Sequence, residues 1–152
     1  MTTPFEVLII DDEPGDVGLT RLALEQGGVK CHISVAHDGI FALELLKGPL
    51  GGPPPSYLPD LVLLDLNMPR VPGLEVLKAM RTDPRLMAVP VVILTTSAAE
   101  SDIKRAYASG ASGYVVKPIE LRALFESIQI VKDYWFNIVR RPHHPTACAE
   151  TA

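Results

Sequence analysis

The stretch Leu61–Asp65, LVLLD, decides the fold, because four consecutive apolar residues lead directly into an aspartate. Continuous apolar runs of this length are typical of strands that are covered on both faces, since a half-exposed strand alternates apolar and polar residues. Two further runs have the same character, VLII at Val7–Ile10 and VVIL at Val91–Leu94. Strands of this kind occur in the centre of parallel sheets that carry helices on both sides.

Helical patterns alternate with these runs, which predicts an α/β fold with a doubly wound, five-stranded parallel sheet. The clearest helix is predicted from Ser97 to Gly110, because Ser97 and Glu100 have capping-box spacing and Gly110 is a natural stop. A weaker helix is predicted from Pro14 to about Gln26. The five predicted strands are Phe5–Ile10, Cys31–Val35, Leu61–Leu66, Val91–Thr95 and Gly113–Lys117.

The composition of the 152-residue chain fits one compact domain, with 47% hydrophobic and 21% charged residues. Two cysteines, Cys31 and Cys148, fit a reducing compartment rather than a disulfide framework. No signal peptide or membrane-spanning run is visible, so we expect a cytoplasmic protein with no membrane contact. A net charge of −4 without a basic stripe argues against nucleic-acid binding. The proline-rich stretch Gly48–Pro59 predicts a stiff surface loop.

The last predicted helix carries an apolar stripe that continues through Trp135, Ile138 and Val139. An apolar patch at the end of a helix usually marks an interface, which predicts a homodimer through these residues and the last helix. The alternative is that the helix folds back onto its own domain. The residues that follow lack periodicity and are predicted to be disordered. The predicted division is a main domain over 1–132 and a C-terminal extension over 133–152.

Polar residues stand where the predicted strands end. Asp11 and Asp12 follow the first strand, Asp65 lies in the third, Thr95 ends the fourth and Lys117 ends the fifth. The carboxyl ends of parallel strands meet at one edge of the sheet, where such folds bind ligands. Clustered carboxylates need a cation, and hard oxygen ligands suit Mg²⁺. A carboxylate beside Mg²⁺ and a lysine can accept a phosphoryl group, and Asp65 is the candidate acceptor.

Four motifs in this order resemble the receiver domains of two-component response regulators, over about residues 5–132. The resemblance implies the flavodoxin-like receiver fold with strand order 2-1-3-4-5. The motifs are IIDDE at Ile9–Glu13, LLDLNMPRVPG at Leu63–Gly73, PVVILTTS at Pro90–Ser97 and GASGYVVKP at Gly110–Pro118.

The resemblance also implies how the metal is held. It makes Asp65 the phosphoacceptor, with Asp12, Asp65 and the backbone carbonyl of Asn67 as direct Mg²⁺ ligands and Asp11 acting partly through water. Simpler roles exist for two of these residues. Asp12 could serve only as a helix N-cap, and Asn67 could serve only as a turn residue.

Three further residues receive roles from the resemblance. Thr95 would be the switch hydroxyl, Lys117 would contact the phosphoryl group, and Tyr114 would change its rotamer with Thr95. Tyr114 could equally be a packing residue, since tyrosine is common in strands. The Lys117–Pro118 peptide bond is expected to be cis in this family.

Three features of the chain resemble those of the small stand-alone regulators of bacterial phytochrome histidine kinases. They are the proline-rich stretch Gly48–Pro59, the DLNMP motif at Asp65–Pro69 and the prolonged last helix. We therefore predict a phosphoprotein that takes a phosphoryl group from such a kinase and signals through protein contacts, and that is not a conventional enzyme. Asn67 and Ser97 occupy the positions that tune hydrolysis of the acyl phosphate in this family. Because both are uncharged, we predict that the protein dephosphorylates itself.

Two alternatives stay open at this point. The chain could be a degenerate receiver that acts only as a binding module, although the complete set of acidic, hydroxyl and lysine residues argues against it. It could also be a Mg²⁺-dependent phosphatase of the haloacid dehalogenase type. That class needs a D-x-D motif on its first strand, which Asp11–Glu13 does not provide.

Overall fold

The computed structural model of the chain describes residues 4–26, 30–48 and 57–138. Within these ranges the elements are β1 (Phe5–Ile10), α1 (Pro14–Glu25), β2 (Cys31–Ala36), α2 (Gly39–Lys47), β3 (Leu61–Leu64), α3 (Gly73–Arg81), β4 (Val91–Thr95), α4 (Glu100–Ala108), β5 (Gly113–Val116) and α5 (Leu121–Asp133). The strands form one parallel sheet in the order β2-β1-β3-β4-β5, which confirms the predicted doubly wound fold. No helix in these ranges combines the length and apolar character needed to cross a bilayer.

Each face of the sheet is covered by helices. On one face Leu8, Val62 and Ile93 pack with α2, α3 and α4, and on the other face Ile9 and Leu63 pack with α1 and α5. Successive residues of a strand point to opposite faces of the sheet. Because helices cover both faces, both sets of strand residues are buried, which explains the continuous apolar runs. Each large aliphatic side chain buried in this way stabilises the fold by about 1.5–3 kcal/mol.

Two strands end slightly earlier than predicted. β3 ends at Leu64 rather than Leu66, and β5 ends at Val116 rather than Lys117. Asp65 and Lys117 therefore stand one residue beyond their strands. Each is still held by its backbone amide, which donates to a carbonyl at the end of the neighbouring strand, at 2.9 Å for Asp65 and 2.6 Å for Lys117.

The predicted capping box at Ser97 is wrong. Helix α4 begins at Glu100, and its N-cap residue Ala99 makes no side-chain cap hydrogen bond. The Ser97 hydroxyl, three residues before the helix, instead donates to Asp102 Oδ2 at 2.5 Å and accepts from the Ala99 amide at 3.3 Å. Gly110 follows the helix with a φ of +105°, a conformation that suits glycine at a helix stop, as predicted.

The β3–α3 connection is packed so tightly that only glycine fits at its end. A Cβ atom built on Gly73 would lie 2.1 Å from the backbone oxygen of Asp65 and 2.9 Å from the Cα of Leu66. The Gly73 amide donates to the Leu66 carbonyl at 3.1 Å. The start of α3 thus fixes the backbone that carries Asp65.

The C-terminal end of the described chain folds back onto the sheet. A π-helical turn, Tyr134–Ile138, continues directly from α5, and it buries Phe136 completely. The Phe136 ring stacks on Phe5 of β1 with 4.3 Å between centroids and 7° between planes. Lys132 is buried one turn earlier, and its Nζ donates to the Gln26 carbonyl. At Phe136 the extension of the last helix therefore packs on its own domain, which was the alternative to an exposed interface.

Several predictions fall on parts of the chain outside the described residues. These are most of the proline-rich loop, the whole predicted disordered tail and Val139.

Candidate functional site

Three carboxylates meet at the carboxyl edge of the sheet. Asp11 and Asp12 follow β1 and Asp65 follows the adjacent strand β3, and one oxygen of each lies within 4.8 Å of the others. Asp11 and Asp65 are buried, whereas Asp12 is exposed. Burial raises the pKa of the Asp11 carboxyl, and hydrogen bonds from Lys117 and the Glu13 amide offset only part of that rise. The pocket therefore concentrates negative charge where solvent stabilises it poorly.

Lys117 supplies the positive charge of this pocket. Its Nζ donates to Asp11 Oδ2 at 2.7 Å and to Asp16 Oδ2 at 2.9 Å, and lies 3.6 Å from Asp65 Oδ2. Burial lowers the pKa of Lys117, but the hydrogen bonds to Asp11 and Asp16, together with the negative charges of Asp11 and Asp65, outweigh it, so the net shift of the pKa is upward and the ammonium stays charged at neutral pH. The Lys117–Pro118 bond is trans, since the described residues contain no cis peptide bond, and the expected cis isomer is wrong. Trans is the ordinary form of an X–Pro bond, favoured by about 0.5–1 kcal/mol.

Thr95 and Asn67 are joined beside Asp65. Thr95 ends β4 and is completely buried, and its hydroxyl accepts a hydrogen bond from Asn67 Nδ2 at 3.2 Å. The backbone amide of Asn67 donates to Asp65 Oδ1, also at 3.2 Å. Asn67 thus connects the candidate acceptor to the candidate switch hydroxyl through one residue.

Tyr114 and Ser97 form a second connection at the same edge. The half-buried Tyr114 packs against the core, and its hydroxyl donates to the Ser97 carbonyl at 2.8 Å. Burial raises the pKa of Tyr114. The Ser97 hydroxyl is directed to Asp102, and hydrogen bonds from Ser97 and Arg105 lower the pKa of that carboxyl. The β4–α4 segment is therefore tied to both β5 and α4.

Comparison with known protein families identifies the pocket formed by these acidic, hydroxyl and lysine side chains. The model for the response regulator receiver domain matches residues 7–129. The chain belongs to the response regulator receiver family. The acidic, hydroxyl and lysine groups at the strand ends therefore form the acidic pocket of a receiver domain, in which this family binds a divalent metal.

Individual relatives and solved structures are similar to nearly the whole chain. The receiver domain is 37% identical to the probable methanogenesis regulatory protein FilR2 of Methanothrix harundinacea, over 91% of this chain and 88% of that protein. It is 32% identical to response regulator Rcp1 of Synechocystis sp., over 91% and 94%. Among solved structures, the phosphorylated cyanobacterial phytochrome response regulator RcpA matches with a TM-score of 0.85 and 31% identity, over 92% of this chain and 99% of that one. The Mn²⁺-bound form of Rcp1 matches with a TM-score of 0.82 and 31% identity, over 91% and 99%.

The pocket of this receiver domain fits a hard divalent cation. The 4.8 Å span of the Asp11, Asp12 and Asp65 oxygens is about twice the metal–oxygen distance of such a cation, roughly 2.0–2.6 Å. Two of the three carboxylates are buried, so a cation there offsets charge that water cannot reach. These three residues could therefore hold Mg²⁺ or Mn²⁺.

Asp16 belongs to this pocket although no sequence motif predicts it there. It lies in the first turn of α1, where an acidic residue already has a simple explanation in the helix dipole. The available signal was its position: the first turn after β1 faces the same sheet edge as Asp11. A lysine expected at that edge therefore has a second carboxylate within reach.

The predicted interface residues lie far from this pocket along the chain. Trp135 is half-buried against the core and makes an edge-to-face contact with Tyr134, with ring centroids 5.3 Å apart. Ile138 ends the π-helical turn, and Val139 lies outside the described residues.

Proposed function

We propose that this protein is a stand-alone response regulator whose Asp65 accepts a phosphoryl group from a partner histidine kinase. The observation that carries the proposal is the position of Lys117 Nζ, 3.6 Å from Asp65 Oδ2 inside a pocket shared with Asp11 and Asp12. An Asp65 oxygen forms a bond to phosphorus while the bond from phosphorus to the imidazole nitrogen of the donor breaks. Lys117 stabilises the phosphoryl oxygens during this transfer.

A divalent metal bound by Asp11, Asp12 and Asp65, with the Asn67 carbonyl as a further ligand, would supply additional positive charge to the transferring phosphoryl group. We take Mg²⁺ as the physiological ion. The chain itself contributes the nucleophile, the lysine and the backbone that positions both. It is thus a phosphoacceptor and not a conventional enzyme.

The proposed partner kinase is of the bacterial phytochrome type. Support comes from the likeness to RcpA, which is described as a cyanobacterial phytochrome response regulator, at a TM-score of 0.85. We further propose that the protein acts in the cytoplasm and passes its signal to other proteins by direct contact.

The switch is proposed to run through Asn67 and Thr95. A phosphoryl group on Asp65 adds about −1.5 to −2 charges and strong acceptor oxygens. These oxygens compete for the Asn67 amide groups that now contact Asp65 Oδ1 and the Thr95 hydroxyl. The Thr95 hydroxyl, whose proton the Asn67 bond leaves unused, then donates to the phosphoryl group, and Tyr114, bound to the nearby Ser97 carbonyl, moves with that segment.

Incubation with acetyl phosphate and MgCl₂, followed by intact-mass spectrometry, tests the proposal. We expect one phosphoryl group per chain, located on Asp65 by peptide mapping. A binding-only module would give no adduct at any donor concentration. A phosphatase would instead release many equivalents of phosphate from a phosphomonoester, and either result would overturn the proposal.

The adduct should also decay once the donor is removed. Asn67 is exposed and uncharged, and the Ser97 hydroxyl is bound to Asp102, so neither places a charge against water that approaches the acyl phosphate. We expect Asn67→Arg to lengthen the half-life several-fold, because a bulky charged side chain then covers Asp65. The measurement is the adduct fraction against time in desalted protein with Mg²⁺ present. A wild-type adduct that does not decay would contradict this expectation.

We propose that the last helix and its extension form a homodimer through Trp135, Ile138 and Val139. Two exposed apolar side chains one turn apart near the end of this helix support this, because Ile130 is 71% exposed and Tyr134 is 49% exposed.

Trp135→Ala should weaken the dimer by about 2 kcal/mol, or roughly thirtyfold, as measured by sedimentation velocity. Because Trp135 also contacts the core, Ile130→Lys serves as a second variant that leaves the core intact. Met87→Lys is the matched control, since Met87 is an exposed apolar residue outside α5. Unchanged sedimentation of both Trp135→Ala and Ile130→Lys would exclude this interface.

A further inference from the structure

We propose that Asp16 is a positioning residue for phosphoryl transfer, and that it holds the Lys117 ammonium so that one N–H stays available to a phosphoryl group on Asp65. This inference rests on the proposed function of Asp65. It assigns a role in the reaction to a residue outside the group of three carboxylates that can hold the metal.

The hydrogen bonds of Lys117 carry the inference. An ammonium group has three N–H donors arranged tetrahedrally. Asp11 Oδ2 takes one at 2.7 Å and Asp16 Oδ2 takes a second at 2.9 Å. Asp65 Oδ2, at 3.6 Å, lies beyond hydrogen-bond distance. The third N–H of Lys117 is therefore near the phosphoacceptor Asp65 but makes no hydrogen bond to it.

The two carboxylates hold Lys117 from different elements. Asp11 follows β1 directly, whereas Asp16 projects from the first turn of α1. That turn is rigid, because Pro14 occupies the start of the helix and the Glu13 side chain caps it by accepting from the Gly15 amide. Asp16 therefore offers the ammonium a fixed second partner.

Without Asp16 the ammonium would lose this partner inside a buried pocket. Among the described residues, the remaining carboxylate oxygen within 4.0 Å is then Asp65 Oδ2, only a few tenths of an ångström beyond hydrogen-bond distance. Lys117 would bond the acceptor directly and engage the oxygen that must attack phosphorus. Phosphorylation then requires that bond to break first, so transfer slows.

The test compares Asp16→Ala and Asp16→Asn with the wild type in acetyl phosphate and MgCl₂, with adduct formation followed by intact-mass spectrometry. We expect Asp16→Ala to lower the rate about tenfold, a loss typical of a small displacement of a reacting group. Asp16→Asn keeps an acceptor oxygen and should fall between the two. Glu25→Ala, which removes an exposed acid at the other end of α1, is the matched control and should leave the rate unchanged.

A double-mutant cycle with Lys117→Ala separates positioning from a general effect on structure. If Asp16 acts through the ammonium, Asp16→Ala added to Lys117→Ala changes the rate less than twofold. A full tenfold loss in the Lys117→Ala background would overturn the inference. Asp16→Asn preserves the side-chain shape, so it replaces Asp16→Ala in the double-mutant cycle if Asp16→Ala does not fold.

A second readout needs neither metal nor phosphodonor. In metal-free protein with ¹⁵N-labelled lysine, the buried and doubly bonded Lys117 ammonium should exchange its protons slowly enough to give a resolved NMR signal. We expect Asp16→Ala to speed this exchange and broaden the signal, whereas Glu25→Ala leaves it sharp. An unchanged signal in Asp16→Ala would overturn the inference.

The outcomes distinguish the two proposals. If the wild type forms no adduct, the proposed function fails, while the NMR signal still reports the Asp16–Lys117 contact. If the wild type forms an Asp65 adduct and Asp16→Ala forms it at the same rate, only the role of Asp16 fails.

Discussion

Asp65→Asn should form no phosphoryl adduct at acetyl phosphate and Mg²⁺ concentrations that convert the wild type. A carboxamide oxygen carries no charge and is a poor nucleophile, so we expect the rate to fall by at least ~1,000-fold, as when the nucleophile of an acyl-transfer enzyme is removed. Intact-mass spectrometry measures the adduct. Glu75→Gln removes an exposed carboxylate from α3 and should behave like the wild type. An equal adduct on Asp65→Asn would move the acceptor to another residue, with the exposed Asp12 as the first candidate.

The folded state of Asp65→Asn can be checked in the same samples. The substitution removes one of three mutually repelling carboxylates, so the metal-free variant should unfold no more easily than the metal-free wild type. If Mg²⁺ binds as proposed, we expect it to stabilise the native wild type by about 2.7 kcal/mol when the ion is present at 100 times its dissociation constant. We expect a smaller gain in the variant, because one ligand has lost its charge.

Phe136→Ala should lower the free energy of unfolding by about 3–5 kcal/mol, the usual cost of removing a completely buried phenylalanine. The Phe136 ring is 0% exposed, and its stack on Phe5 would be replaced by a cavity beneath β1. Urea unfolding followed by circular dichroism gives the value. Tyr134→Ala, two residues earlier and half-exposed, is the matched control and should cost less than about 1 kcal/mol. A loss below about 1 kcal/mol for Phe136→Ala would show that the π-helical turn contributes little to the stability of the domain.

The sheet could be predicted from the sequence because its central strands are apolar on both faces. VLII, LVLL and VVIL fit no amphipathic element, and their order along the chain with intervening helices leaves little choice of topology. The pocket followed from the same assignment, since residues at the carboxyl ends of parallel strands share one edge. Asp11, Asp12, Asp65, Thr95 and Lys117 are all placed at that edge by strand geometry alone.

What the sequence could not show depends on contacts between distant side chains. Asp16 has a sufficient local explanation in the helix dipole, so nothing in the pattern points to Lys117. Ser97 and Glu100 have the spacing of a capping box, but α4 begins only at Glu100, and the Ser97 hydroxyl accepts from the Ala99 amide and donates to Asp102. Phe136 falls off the predicted apolar stripe because a π-helical turn holds more residues than an α-helical turn, which shifts every later side chain around the helix.

The stack of Phe136 on Phe5 also bears on the order in which the chain folds during synthesis. Of the described elements β1 comes first along the chain, yet one of the rings that covers it belongs to the last described turn. Until that turn has left the ribosome, Phe5 presents an unfilled apolar surface on a strand between two others. The nascent chain therefore cannot complete this part of its core until the turn that carries Phe136 has emerged, and the strand that leads into Asp11 and Asp12 stays incompletely covered until then.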